Sequence, residues 1–309
     1  MSTSDWFQIK EVENDIFIVE EPGYVQSYLV NGTTHSALLD TGMGIQNISA
    51  AIKPLVRESV SVFNTHWHFD HTGGNALFDE IGISPLESHL IQRDISSSEL
   101  SEMLNIAFES EDLSLPPGFN PEGYKISALS ATFSIENGQR FDLGDRILEA
   151  LATPGHTRGS MSFLDHRTRS LFVGDLVYRD TFFVQFEDSD PEEYIRSLEK
   201  VLSRAETFDR IYPAHGEYAL PEEFLNTVMD AFQKITQGAP PDKIDTTWNE
   251  ICHRYYFNGF DILIKPPGTK GITFLSIFQR ILANDAFKIE KFSFFLIAAE
   301  YNFQTGRAG

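Results

Sequence analysis

"NTHWHFDHTGGN", Asn64–Asn75, sets His66, His68, Asp70 and His71 within six positions and closes on two glycines. It follows "SVSVF", Ser59–Phe63, a β-branched and aromatic run that reads as a strand. A strand emptying into a glycine-bearing loop is where α/β proteins place chemistry. His66 and His68 are two apart, so at an extended strand end both side chains point the same way and can grip one ion together. Asp70 and His71 come after a bend and do not join that face; a second ion beside the first would use them. Gly73 and Gly74 permit the tight path that closes the loop.

Working outward, the same arrangement recurs. "TPGHTRGS" offers His156, "LFVGD" offers Asp175 and "YPAHG" offers His215, each in a glycine-bearing loop after a strand-like run. Five of the chain's nine histidines thus fall at strand ends. Scattered surface or hydrogen-bonded core histidines do not produce that pattern, and a metal site does. Cys252 is the single cysteine, which excludes an intramolecular disulfide and an all-thiolate zinc site.

The 309 residues carry 45 acidic and 24 basic side chains, a formal net charge of -21. Such a surface repels a phosphate backbone, and no segregated basic patch is visible, so nucleic acid is not an expected partner. The start, "MSTSDWFQIKEVENDIF", lacks a basic stretch followed by an apolar core, and no apolar run is long enough to span a bilayer. A cytoplasmic location is the expectation.

The first forty residues read as an antiparallel meander, "FQIKEV", "DIFIVEE", "VQSYLVNG" and "SALLDTG". "IQNISAAIKPLV" has helical spacing, a helix is expected from "GGNALFDEI", and "ISPLESH" is a short strand. Residues 90–121 read as a polar insertion able to lie over a site. "SMSFLDHRTRSLFVGD" is a hairpin ending at Asp175, and "DPEEYIRSLEKVLSRAE" is a helix with Pro in its first turn. A boundary is placed near Gly238, giving a catalytic domain over 1–237 and an extension over 238–309 rich in Phe and Tyr, packed on that domain or in a homodimer interface. Two rounds of strands followed by helices predict an α/β fold, two sheets face to face with helices outside.

The H-x-H-x-D-H pattern at His66, His68, Asp70 and His71, with His156, Asp175 and His215 following in order, resembles the metallo-β-lactamase-fold hydrolases. The resemblance runs to about Tyr218, and "LLDTG" with Asp40 resembles the family's strand end, whose carboxylate orients ligands. It implies a four-layer αβ/βα sandwich with a short C-terminal extension. It implies two divalent ions, one held by His66, His68 and His156, the other by Asp70, His71 and His215, with Asp175 bridging. Nitrogen and carboxylate ligands suit zinc, and the same set accepts Fe or Mn. A water shared by two cations becomes hydroxide near neutral pH, and Asp70 is placed to take a proton during turnover.

Within the family the loop at His66 resembles hydroxyacylglutathione hydrolases, and "PGHTRGSMSF…LFVGDLVY" resembles acyl-CoA hydrolases. Tyr178 resembles the tyrosine with which acyl-homoserine-lactone lactonases hydrogen-bond the substrate carbonyl. A small-molecule ester substrate follows, thioester first and lactone second. Arg158 and Arg179 are the candidates for an anionic group on the substrate, and Phe182, with Phe183, Phe186, Trp67 and Phe69, for an acyl wall. The alternative from another class is a catalytically silent metal-binding interaction module.

Overall fold

In a computed structural model the described residues are 6–21, 23–100, 115–116, 118–247 and 250–269. The N-terminal half builds a seven-stranded sheet in chain order: β1 (Gln8–Glu13), β2 (Ile16–Glu21), β3 (Val25–Asn31), β4 (Ser36–Leu39), β5 (Val60–Phe63), β6 (Ile81–Ile83) and β7 (Phe133–Ser134). The first four strands pair antiparallel, and β4 through β7 run parallel. A second, five-stranded sheet takes the order β13 (Arg210–Pro213), β11 (Ser170–Gly174), β10 (Met161–Asp165), β9 (Ile147–Ala152) and β8 (Arg140–Asp142).

Period-two alternation decides how these sheets stack. On β10, Phe163 enters a core with Tyr28, Leu39 and Phe63 of the first sheet, while its neighbour Leu164 enters a second core on the opposite face. The second core is covered by helices α3 (Pro191–Leu202) and α4 (Glu223–Thr236). Tyr194, Leu198 and Val201 of α3 meet Leu225, Val228 and Phe232 of α4 there, each set at helical spacing. The expected face-to-face sandwich with outer helices is therefore the fold.

The hairpin of β10 and β11 is built by Asp165, which accepts hydrogen bonds from the backbone N–H groups of Arg167 and Thr168. Its charge is met by Arg146 at 3.1 Å, with both side chains fully buried. Helix α3 starts where the sequence places it: Asp190 caps the N–H groups of Glu192 and Glu193, with Pro191 in the first turn.

One expected helix is shorter than its sequence pattern and another does not form. Helix α1 covers only Ile48–Ile52, with Pro54 just beyond, whose ring removes a helical donor. "GGNALFDEI" forms no regular helix. Helix α2 spans Phe69–Thr72 and a single 3-10 turn spans Asn75–Leu77, because the chain must enter β6 at Ile81. Helix α4 was not anticipated, although Phe224, Leu225, Val228, Ala231, Phe232 and Ile235 give it a continuous buried stripe.

Past Gly238 the chain makes β14 (Lys243–Thr247), β15 (Glu250–Phe257) and β16 (Phe260–Ile264). Strand β16 pairs in parallel with β12 (Thr181–Val184), so this segment shares a sheet with residues that follow Asp175. Residues 270–309 of the expected extension lie outside the described residues. No helix among the described residues is long and apolar enough to cross a membrane.

Candidate metal centre

Four ligand candidates and the orienting Asp40 sit just past the C-terminal ends of strands: Asp40 after β4, His66 after β5, His156 after β9, Asp175 after β11 and His215 after β13. Parallel pairing of β4 with β5 and of β11 with β13 brings four of these ends to one edge of the sandwich. His68 is the N-cap of α2, and the turn of that helix places Asp70 and His71.

The donor atoms converge in two groups. His66 Nε2 lies 3.0 Å and His156 Nε2 2.9 Å from His68 Nδ1. In the second group Asp70 Oδ2 lies 3.6 Å from both His71 Nε2 and His215 Nε2. Asp175 stands between them. Its Oδ2 is 3.4 Å from His156 Nε2 and 4.0 Å from His66 Nε2, while its Oδ1 is 3.3 Å from His71 Nε2 and 3.4 Å from His215 Nε2. The trios His66–His68–His156 and Asp70–His71–His215 each have ligand atoms within 4.8 Å of one another.

The outer ring nitrogens fix which atoms face inward. His71 Nδ1 is 2.9 Å from Asp40 Oδ2, His215 Nδ1 is 2.8 Å from the Tyr24 carbonyl, and His156 Nδ1 is 3.1 Å from the Phe183 carbonyl. Those acceptors hold the Nδ1 proton and leave Nε2 as the donor to an ion. Asp40 adopts a left-handed backbone, φ 62°. It is held there by the N–H and hydroxyl of Thr65, at 2.7 and 2.8 Å, besides His71. An acid that orients a ligand from behind repays such strain.

Electrostatics divide the cluster. Burial and the neighbouring imidazoles push His66 and His68 well below the usual histidine range, and burial lowers His156 as well, so all three favour the neutral, ligating form. Burial opposes charge on His71 and His215 too, but Asp175 and Asp70 outweigh it and raise them to about 10 and about 9. Asp175 is held well below the carboxylate range, with His215 and His71 outweighing its burial. His71 Nε2 and Asp175 Oδ1 are buried, 3.3 Å apart, and close no hydrogen bond of ordinary geometry. Buried donors and acceptors left in that state fit a bound cation that takes the place of protons.

The substrate candidates are placed less uniformly. Phe186 faces the first trio, its ring centroid 5.4 Å from that of His68 and 6.3 Å from that of His156, and the Trp67 ring is 5.0 Å from His68. Phe182 is fully buried in the second core, stacked on Tyr178 at 4.5 Å. The Tyr178 ring lies 5.4 Å from His215, but its hydroxyl donates to the Thr181 carbonyl at 2.9 Å. Arg179 pairs with Glu217 at 3.1 Å and covers the Phe224 ring. Arg158 lines a cavity of about 420 Å³ with Glu187, Asp188, Glu193 and Lys265. His166 pairs with Glu149, and His35 lies between Ser59 and Ser61, both apart from the cluster. Sequence reasoning passed over Tyr24, whose carbonyl positions His215, and Glu87, considered below; neither carries a motif signal.

The profile of the metallo-beta-lactamase superfamily matches residues 21–215, and the chain belongs to that superfamily, a family of divalent-metal proteins. Acyl-coenzyme A thioesterase MBLAC2 of Homo sapiens is 26% identical over 235 residues, covering 70% of this chain and 83% of that protein. A probable metallo-hydrolase of Streptococcus pyogenes, M6_Spy0554, is 26% identical over 194 residues, covering 61% and 77%. Among solved structures, a metallo-beta-lactamase from Cronobacter sakazakii aligns with TM-score 0.55 at 17% identity, covering 75% of this chain and 99% of that one. DIM-1 metallo-beta-lactamase aligns with TM-score 0.52 at 16% identity, covering 74% and 97%. These two likenesses are likenesses of fold.

Proposed function

We propose that the chain is a dinuclear metallohydrolase that cleaves carbonyl ester-type bonds, with a thioester as the favoured substrate. The observation that carries the reading is Asp175, which turns one carboxylate oxygen toward each trio of donors. Bound divalent cations, with zinc the best match to these ligands, would supply Lewis acidity that acidifies water and polarises a carbonyl.

The chain's own groups divide the remaining work. Asp175 sets the spacing of the two trios. Asp70, 8% exposed and the most open of the carboxylates at the cluster with Asp175, is placed to hold a proton for the leaving group. Phe186 and Trp67 give the first trio an apolar wall suited to an acyl chain and to the exclusion of water. Arg158 and Lys265 line the cavity past His156 together with Glu187, Asp188, Asp190 and Glu193, and Arg158 is the candidate to meet an anionic leaving group there. The acyl-CoA thioesterase named above, similar over most of its length, supports a thioester over a lactone.

The test is a panel of acyl-CoA, acylglutathione and acyl-homoserine-lactone substrates, assayed with metal-analysed protein. Chelator-sensitive thioester hydrolysis is the expected result. Preference for the lactone would move the assignment to that branch, and tight metal binding without turnover on any ester would make the chain an interaction module.

A further inference from the structure

Behind the first trio lies a buried carboxylate that takes no part in holding an ion. Glu87 is 1% exposed and sits in the turn after β6, its N–H donating to the Ser84 carbonyl at 3.0 Å. Its Oε1 accepts the N–H of Gly159 at 2.8 Å. The Thr157 side chain and the backbone N–H of Trp67 also favour its charged form; burial, the larger effect, raises it to about 7. Oε2 closes no hydrogen bond of ordinary geometry.

The three donors belong to two loops that are far apart in sequence. Trp67 lies between His66 and His68, and Thr157 and Gly159 follow His156. The contact is tight, since a Cβ on Gly159 would meet Glu87 Cδ at 2.7 Å. Within the second loop the Ser160 hydroxyl lies 2.7 Å from the Thr157 hydroxyl and accepts the Thr157 N–H at 3.1 Å, which ties the two ends of the turn together. A buried carboxylate costs more than an apolar side chain of similar size would. What it provides here is one acceptor, open to N–H and O–H groups from both loops at once.

We infer that Glu87 is a positioning residue for the first ion: by holding the 157–160 turn against the 66–68 loop, it fixes His156 relative to His66 and His68. The inference rests on the reading of that trio as a metal site.

Cobalt(II) titration of the metal-stripped chain, followed by visible absorption against a competing chelator, tests it. Glu87→Ala is expected to weaken one of two cobalt sites by roughly 10- to 100-fold and leave the other unchanged. Glu87→Gln, which keeps one oxygen for the Gly159 N–H, is expected to recover most of that loss. Gly159→Ala, which wedges a methyl into the contact from the other side, is expected to weaken the same site and decides the matter if Glu87→Ala does not fold. Wild-type affinity at both sites in Glu87→Ala or Gly159→Ala would overturn the inference and leave the metal centre standing. A wild-type chain that binds no cobalt would overturn both.

Discussion

At the scale of single residues, the centre is a set of side chains whose partners decide their chemistry. Tyr178 illustrates this best. Its position three residues past Asp175 invites a role at the substrate carbonyl, yet its hydroxyl proton is engaged by Thr181 and its ring is 2% exposed. Tyr178→Phe is expected to change kcat less than roughly tenfold while lowering stability by about 1 kcal/mol, because the Thr181 carbonyl loses its donor. A kcat loss of a hundredfold or more at full metal content would restore the hydroxyl to the reaction. Glu21 behaves differently. Burial, partly offset by the Met43 N–H and Trp6, raises its carboxyl from 4.5 to about 7. The native chain therefore prefers Glu21 protonated, and the associated stability is complete below about pH 4.5 and lost as pH rises through 7. In the metal-free chain, unfolding free energy relative to Glu21→Gln is expected to fall by ~3 kcal/mol between pH 4.5 and 8. A difference that stays flat or rises with pH contradicts this environment for Glu21.

At the scale of elements, loops are shaped by what packs behind them. Gly155, one residue before His156, has φ 145°, and a Cβ there would meet Tyr194 Cα of α3 at 2.7 Å. The helix is thus a wall against which the ligand loop lies backbone to backbone, further tied by the Asp190 N–H to the Gly155 carbonyl at 2.9 Å. Gly155→Ala is expected to displace His156 and lower metal content at the first trio, with circular dichroism unchanged; normal metal content in the folded variant would refute the close-packing argument. The hairpin ending at Asp175 and helix α3 were legible in the sequence because their signals are local: alternation, turn residues, a cap and a Pro. The helix expected after Gly74 failed because its end is set by a partner strand. A Cβ at Gly73 would lie 2.1 Å from the Met43 carbonyl, and β6 must follow within a few residues to pair with β5. Such limits come from parts of the chain that local spacing does not see.

At the scale of the whole molecule, the candidate ligands were readable because chemistry at strand ends leaves a composition signal, histidines and aspartates in glycine-bearing loops. Residues that position those ligands leave none. Asp40 was found only through its resemblance to a family strand end, and Glu87 and Tyr24 required coordinates. Substrate-side residues were the least legible, since an aromatic near a ligand in sequence points either to the site, as Phe186 does, or to the core, as Phe182 does. Segment 243–264 adds strands to β12 immediately after the Asp175 loop, so the sheet that supports Phe182 and Val184 depends on residues beyond Gly238.

Whether two cations share Asp175, as proposed, is tested most directly by anomalous diffraction from crystals of the zinc-loaded chain. Two peaks are expected, ~3.5–4 Å apart, one among His66, His68 and His156, the other among Asp70, His71 and His215, with an oxygen of Asp175 turned to each. A single peak at full loading, or two peaks with Asp175 reaching neither, would contradict the account.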